Sequence, residues 1–160
     1  MKRLLFLILI LFSAVSSNAA IFDGVDLNAN KLQVLREISS RGYVFNEELE
    51  CLEGDCQGTL IRIRFNLEDT SNRNKIGQLI IDIPNGDFDN SEKLFNVVYH
   101  RSQATTRLEK DVMMTGEDGK KIILEKVRAY VVDEDGTIMI LEKTREGIRL
   151  TYCTPYYDKK

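Results

Sequence analysis

One histidine, three cysteines and no glycine-rich run are what 160 residues hold of the groups that most often carry chemistry, and each scarcity excludes something. A single imidazole with three cysteines at these spacings cannot assemble a zinc site. A nucleophilic triad would need His100 beside Ser102, but residues two apart on a helix do not face each other, so His100 is expected to be a surface histidine. Gly24, Gly54, Gly58 and Gly86 are scattered as turn formers and make no phosphate cradle. Positive charge is also short: 22 Lys and Arg face 25 Asp and Glu, a formal charge of -3. An acidic surface repels phosphate backbones and anionic lipid, which argues against nucleic acid and membrane partners. No cofactor is implied. No asparagine opens an N-x-S/T sequon, a feature that fits a bacterial exported protein.

What is present begins with a leader. Met1-Lys2-Arg3 is basic, Leu4 to Phe12 is unbroken apolar sequence, and Ser13 to Ala20 is small and weakly polar, which together predict a secretory signal peptide over 1–20. The apolar run is too short for a permanent spanning helix, and no cysteine follows it to accept a lipid. Cleavage after Ala19 or Ala20 would remove Lys2 and Arg3 and take the charge from -3 to -5. The expected location is periplasmic or secreted. Export would permit disulfides. Cys51 and Cys56 bracket L-E-G-D, which reads as a turn, so a local Cys51–Cys56 bridge is the preferred pairing; Cys51 or Cys56 joined to Cys153 stays open. Cys153, left over by the local pairing, could instead link two copies into a structural homodimer.

Hydrophobic residues make up 43% and are spread along the chain, enough for one folded domain over 21–160, with possible subunits 21–84 and 85–155. Asn28 is placed to cap a helix carrying Leu32, Leu35 and Ile38 on one side and stopping at Gly42. Tyr43, Phe45 and Leu49 suggest a first strand. Thr59 to Leu67 alternates Ile61, Ile63, Phe65 and Leu67 against Arg62, Arg64 and Asn66, predicting a strand with one buried and one wet face. Gly77 to Ile83 returns and Pro84 ends it. A second helix is predicted from Asn90 or Ser91 to Gln103, burying Leu94, Phe95 and Val98. Residues 104–114 fit either a helix extension or an extra strand. From Ile122 to Tyr152, three short runs separated by D-E-D-G and T-R-E-G read as an antiparallel meander, and the tail from Tyr156 is expected to be loose.

Helix, three strands, helix, three strands predict an α+β protein: two layers, with helices packed on an antiparallel sheet and a helix plus three-strand unit used twice. F-D-G-V-D-L, a helix ending R-G-Y at Arg41 to Tyr43, and a closing G-I-R-L-T-Y resemble small exported bacterial proteins whose layout is similar to the outer-membrane assembly lipoprotein BamE and to the modules of the beta-lactamase inhibitory protein. The resemblance implies a binding or scaffolding role. It carries over no functional residue, and the lipid-accepting cysteine of the lipoproteins is missing here.

Among local constellations, Asp133-Glu134-Asp135-Gly136 with Glu142 imitates part of a calcium loop, but Val131 falls on its first ligand position and the flanks read as strands. Carboxylates at Glu53, Asp55, Asp87 and Asp89 would serve a small hydrolase only if one were held in apolar surroundings. The basic row Arg62 and Arg64, joined by Lys143 and Arg149, is the candidate binding face for a protein or cell-envelope component. Tyr130, Tyr152, Tyr156 and Tyr157 could add an aromatic contact patch. The expectation is therefore an exported, non-enzymatic binding or scaffolding module, with a carboxylate hydrolase as the alternative.

Overall fold

A computed structural model describes residues 21–132 and 136–158; the leader of 1–20 lies outside them. The strands are β1 (Ile21–Phe22), β2 (Val25–Asp26), β3 (Val44–Asn46), β4 (Cys51–Cys56), β5 (Thr59–Asn66), β6 (Gln78–Pro84), β7 (Ala104–Thr115), β8 (Lys121–Val132), β9 (Ile138–Lys143) and β10 (Gly147–Cys153). The helices are α1 (Lys31–Ser39), α2 (Phe88–Leu94) and α3 (Val97–Gln103). β1 and β2 form a small ribbon, and the other eight strands form one antiparallel sheet in the order β3-β4-β5-β6-β10-β9-β8-β7.

This corrects the expected two-layer α+β design. Among the described residues strand accounts for 49% and helix for only 17%, in three short helices, so this is a mostly sheet protein. Two local outcomes explain the shift. L-E-G-D is not a turn but the middle of β4, and the chain reverses two residues later at Gln57-Gly58, where both φ angles are positive, 52° and 83°, as a two-residue hairpin requires. Residues 104–115 also join the sheet, adding a fourth strand to the second meander.

The helices differ from expectation for similar local reasons. The cap of α1 is Asn30, whose side chain accepts from Leu32 N at 3.0 Å, two residues beyond the predicted Asn28. Ile38 is buried as predicted, but Val34 shares its inward face and Leu32 is exposed. Asp87, not Asn90 or Ser91, caps α2, accepting from Asn90 N at 2.9 Å. Asn96 at φ 55° then breaks the predicted second helix into α2 and α3, so that Val97 and His100 are buried and Val98 is exposed.

The core lies on one face of the central strands. Ile61 and Ile63 of β5, Leu79, Ile81 and Ile83 of β6, Ile148, Leu150 and Tyr152 of β10, and Met139 and Leu141 of β9 are all buried there, matched in register: Leu79 opposite Tyr152, Ile81 opposite Leu150, Ile83 opposite Ile148. Phe22, Leu27, Val34, Ile38, Phe88, Phe95 and Val97 join the same cluster from the ribbon and the helices. The last strand is thus a central one, joining the two meanders through β6. The β9–β10 turn closes at T-R-E-G as predicted, with Thr144 N donating to Gly147 O at 2.8 Å. A side chain at Gly147 would overlap the Ile83 carbonyl, and its φ of 150° disfavours other residues, so only glycine fits. Tyr156 to Asp158, the described part of the tail, are not loose. Ser71 N donates to Tyr156 O at 2.8 Å, Asp158 N to Asp69 O at 3.1 Å, and Tyr157 bridges Thr70.

Candidate functional site: an open sheet edge and its hairpin arm

β7 and β8 are twelve residues each, the longest strands described. β9 pairs only with Val127 to Val131 of β8, so residues 111–115 and 121–126 run on as a two-stranded arm with no third strand beside it among the described residues. The arm is closed by Gly116 N donating to Lys120 O at 2.8 Å. Apolar residues occupy both of its faces: Met113 is 56% exposed, Leu124 53%, Met114 and Ile122 48% each, and Val112 36%. A two-stranded ribbon is marginal in water by itself, and this one carries apolar surface that ordinary surface strands avoid.

Ionic contacts hold the root of the arm to the body. Lys126 reaches Asp89 at 3.1 Å and lies 4.2 Å over the Phe88 ring, while Lys110 pairs with Glu125 at 2.9 Å. Arg128, largely covered, donates to Asp111 at 2.7 Å and stands 3.7 Å from Glu109, which also accepts from Arg101 at 2.7 Å. The Arg128 hydrogen bond holds the Asp111 carboxyl below the usual carboxylate range. β7 pairs with β8 alone, so its outer row of backbone groups is unpaired by the described residues, and the strand contains neither proline nor glycine to blunt it. The opposite edge, β3, is only three residues long.

The expected basic face is assembled in part, and its charge is largely offset. Arg62 donates to Glu53 at 2.8 Å, while Arg64 and Arg149 both donate to Asp82, the latter at 2.6 Å. Those three arginines do share the sheet face opposite the core. Lys143 does not: it stands opposite Ile148, on the core side, and donates to Ile123 O at 3.3 Å. The same outer face is less wet than predicted, because Ile80, Ile138, Ile140, Ala129 and Val131 lie half-buried on it, around a groove of about 210 Å³ bordered by Cys153, Pro155 and Tyr157.

The remaining candidates are dispersed. Tyr130 and Tyr152 are wholly buried, and Tyr156 lies beneath Lys75, so no tyrosine patch forms. His100 is buried against Tyr99 and is not on the surface, because the break at Asn96 rotates it inward. Glu53 pairs with Arg62, Asp55 accepts from Gly58 N in the hairpin turn, Asp87 caps α2 and Asp89 holds Lys126. Asp87 borders a cleft of about 530 Å³ between the β4–β5 turn and α2. Asp133 to Asp135 of the calcium-like loop lie outside the described residues, and no cluster of three metal-binding side chains occurs among the described ones.

Cys51 and Cys56 end one continuous strand, roughly 16 Å apart at the rise of extended chain, far beyond the span of a disulfide. All three cysteines are buried thiols, and the local bridge is therefore corrected. Cys153 is three strands from Cys51 across the sheet and is buried where it borders the groove. Burial pushes the Cys56 thiol up, and burial, with Cys56 and Asp23 nearby, raises the Tyr43 phenol.

Sequence reasoning missed the arm. Its signal was M-M-T before G-E-D-G and I-I-L after it, two apolar runs facing each other across a turn. No helix of the described residues is long and apolar enough to cross a membrane. Comparison with known proteins found no matching family, no similar curated protein and no similar solved structure.

Proposed function

We propose that this chain is an exported binding or scaffolding module, periplasmic or secreted, that acts by contact through the β7–β8 arm and the open edge beside it. One observation carries the reading: five apolar side chains on a projecting ribbon are a third to a half or more exposed, with no layer of the described residues over them. Covering even one such side chain stabilises a contact by about 1 kcal/mol or more, which gives the arm its affinity. The basic face contributes less, since Glu53 and Asp82 already satisfy its arginines. Export rests on the leader at 1–20.

A photo-crosslinking residue at position 113, with a control at Arg36 on the exposed side of α1, tests the reading in producing cells. A polypeptide adduct specific to position 113 is expected. Equal labelling at both positions, or none, contradicts it.

A further inference from the structure

We propose that the partner seated on this surface is a second copy of the same chain, paired antiparallel along β7 about a two-fold axis at Leu108. This rests on the reading of the arm as a contact surface and names its occupant.

The register follows from the strand itself. An antiparallel pair related by a two-fold axis places residue i opposite its mirror position, and both point to the same sheet face. With the axis at Leu108, that residue meets its own copy, and at 58% exposure it is the most exposed apolar side chain of the strand. Arg107 then faces Glu109 of the other copy, twice over, while Thr106 faces Lys110, and Thr105, the extra residue of a bulge between Ala104 and Thr106, ends the regular pairing. No like charges meet. Moving the axis one place either way puts Arg107 against Arg107 or Glu109 against Glu109, and two places on puts Lys110 against Lys110, each of which is destabilising. Arg107 makes no ion pair with a described residue, so it is available for the cross-strand pair.

The same register accounts for the arm. Past the bulge, the arm of one copy continues alongside α3 of the other, whose first turn carries Val98 and Tyr99, 49% and 52% exposed. Each arm is thereby offered an apolar surface, and each α3 an apolar cover, as an isologous contact demands. Five facing strand residues of each copy and the half-exposed apolar side chains of both arms have to cover roughly 1,000 Å² for a stable dimer. The long open edge disappears into a sheet of twice the width, leaving only the three-residue β3 at its margins.

Sedimentation equilibrium of the purified protein, wild type beside Arg107→Glu, tests the proposal together with oxidation of Leu108→Cys. A dimer is expected, weakened about tenfold or more by R107E, because two attractive pairs become repulsive. The L108C variant should close a disulfide with its copy, since directly opposed Cβ atoms are in reach, whereas Thr106→Cys should not. A dimer indifferent to R107E, or equal cross-linking through position 106, overturns the register and the proposal. A wild-type monomer at about 100 μM overturns it as well. If that monomer still gives a position-113 adduct with a different polypeptide, the arm remains a contact surface and only the second copy is excluded; without any adduct, both readings fall.

Discussion

Tyr152 shows how the chain places polar groups inside its core. Its side chain is completely buried between β6 and β9, and its hydroxyl has no hydrogen-bond partner among the described residues. Burial, and to a lesser degree Cys56, accordingly holds its phenol well above the usual range. Tyr152→Phe should therefore leave the protein as stable or up to about 1 kcal/mol more stable in urea unfolding, and a loss beyond that would mean the hydroxyl is bonded. The cysteines give a second expectation. Three thiols per chain should react once the protein is unfolded without reductant, because β4 separates Cys51 from Cys56 and Cys153 lies three strands away. Two fewer would contradict the strand. The spacing C-L-E-G-D-C misled because a Gly-Asp pair usually marks a turn, whereas here Gly54 leaves room for the Tyr43 ring, 2.6 Å from where its Cβ would be.

At the level of elements, the strands with strict alternation were the legible ones. Ile61 and Ile63, and then Leu79, Ile81 and Ile83, fall on the core face as their period of two requires. The helices were legible as segments and only partly in phase: Ile38 and Phe95 are buried as expected, whereas Leu32 is exposed and the left-handed Asn96 turns Val98 outward. Residues 104–115 offered no period at all: all but Ala104 are exposed, so no buried face was there to impose one. The β9–β10 turn rests on a single position. Gly147→Ala should cost roughly 2 kcal/mol or more by forcing the β6 and β10 ends apart, seen as a lower urea midpoint at unchanged slope; a neutral substitution would mean the turn adapts. Acid should loosen the root of the arm late. The Asp111 pKa is lowered in the fold, so its contribution is fully present above the ordinary carboxylate range and is lost only as pH falls through that lowered value.

Across the whole molecule, local pairings such as β9 with β10 followed from turn chemistry, while the number of strands and the order of the sheet did not: two runs of three were expected where eight strands form the main sheet. Nothing in Gly147 to Cys153 marks it as the central strand joining two meanders, because that placement depends on β6 and β10 matching isoleucine, leucine and tyrosine across roughly 60 residues of intervening chain. Nor could sequence show that Asp82 gathers Arg64 and Arg149 from two neighbouring strands and so offsets part of the charge of the face it was expected to present. What remains for contact is the outermost hairpin. Amide hydrogen exchange, read residue by residue over a range of protein concentrations, tests this most directly. Residues 104–115 should exchange far faster than 78–84 in dilute protein and become protected as concentration rises. Protection of 104–115 equal to that of 78–84 at every dilution would mean the edge is already covered within its own chain, and would contradict the account.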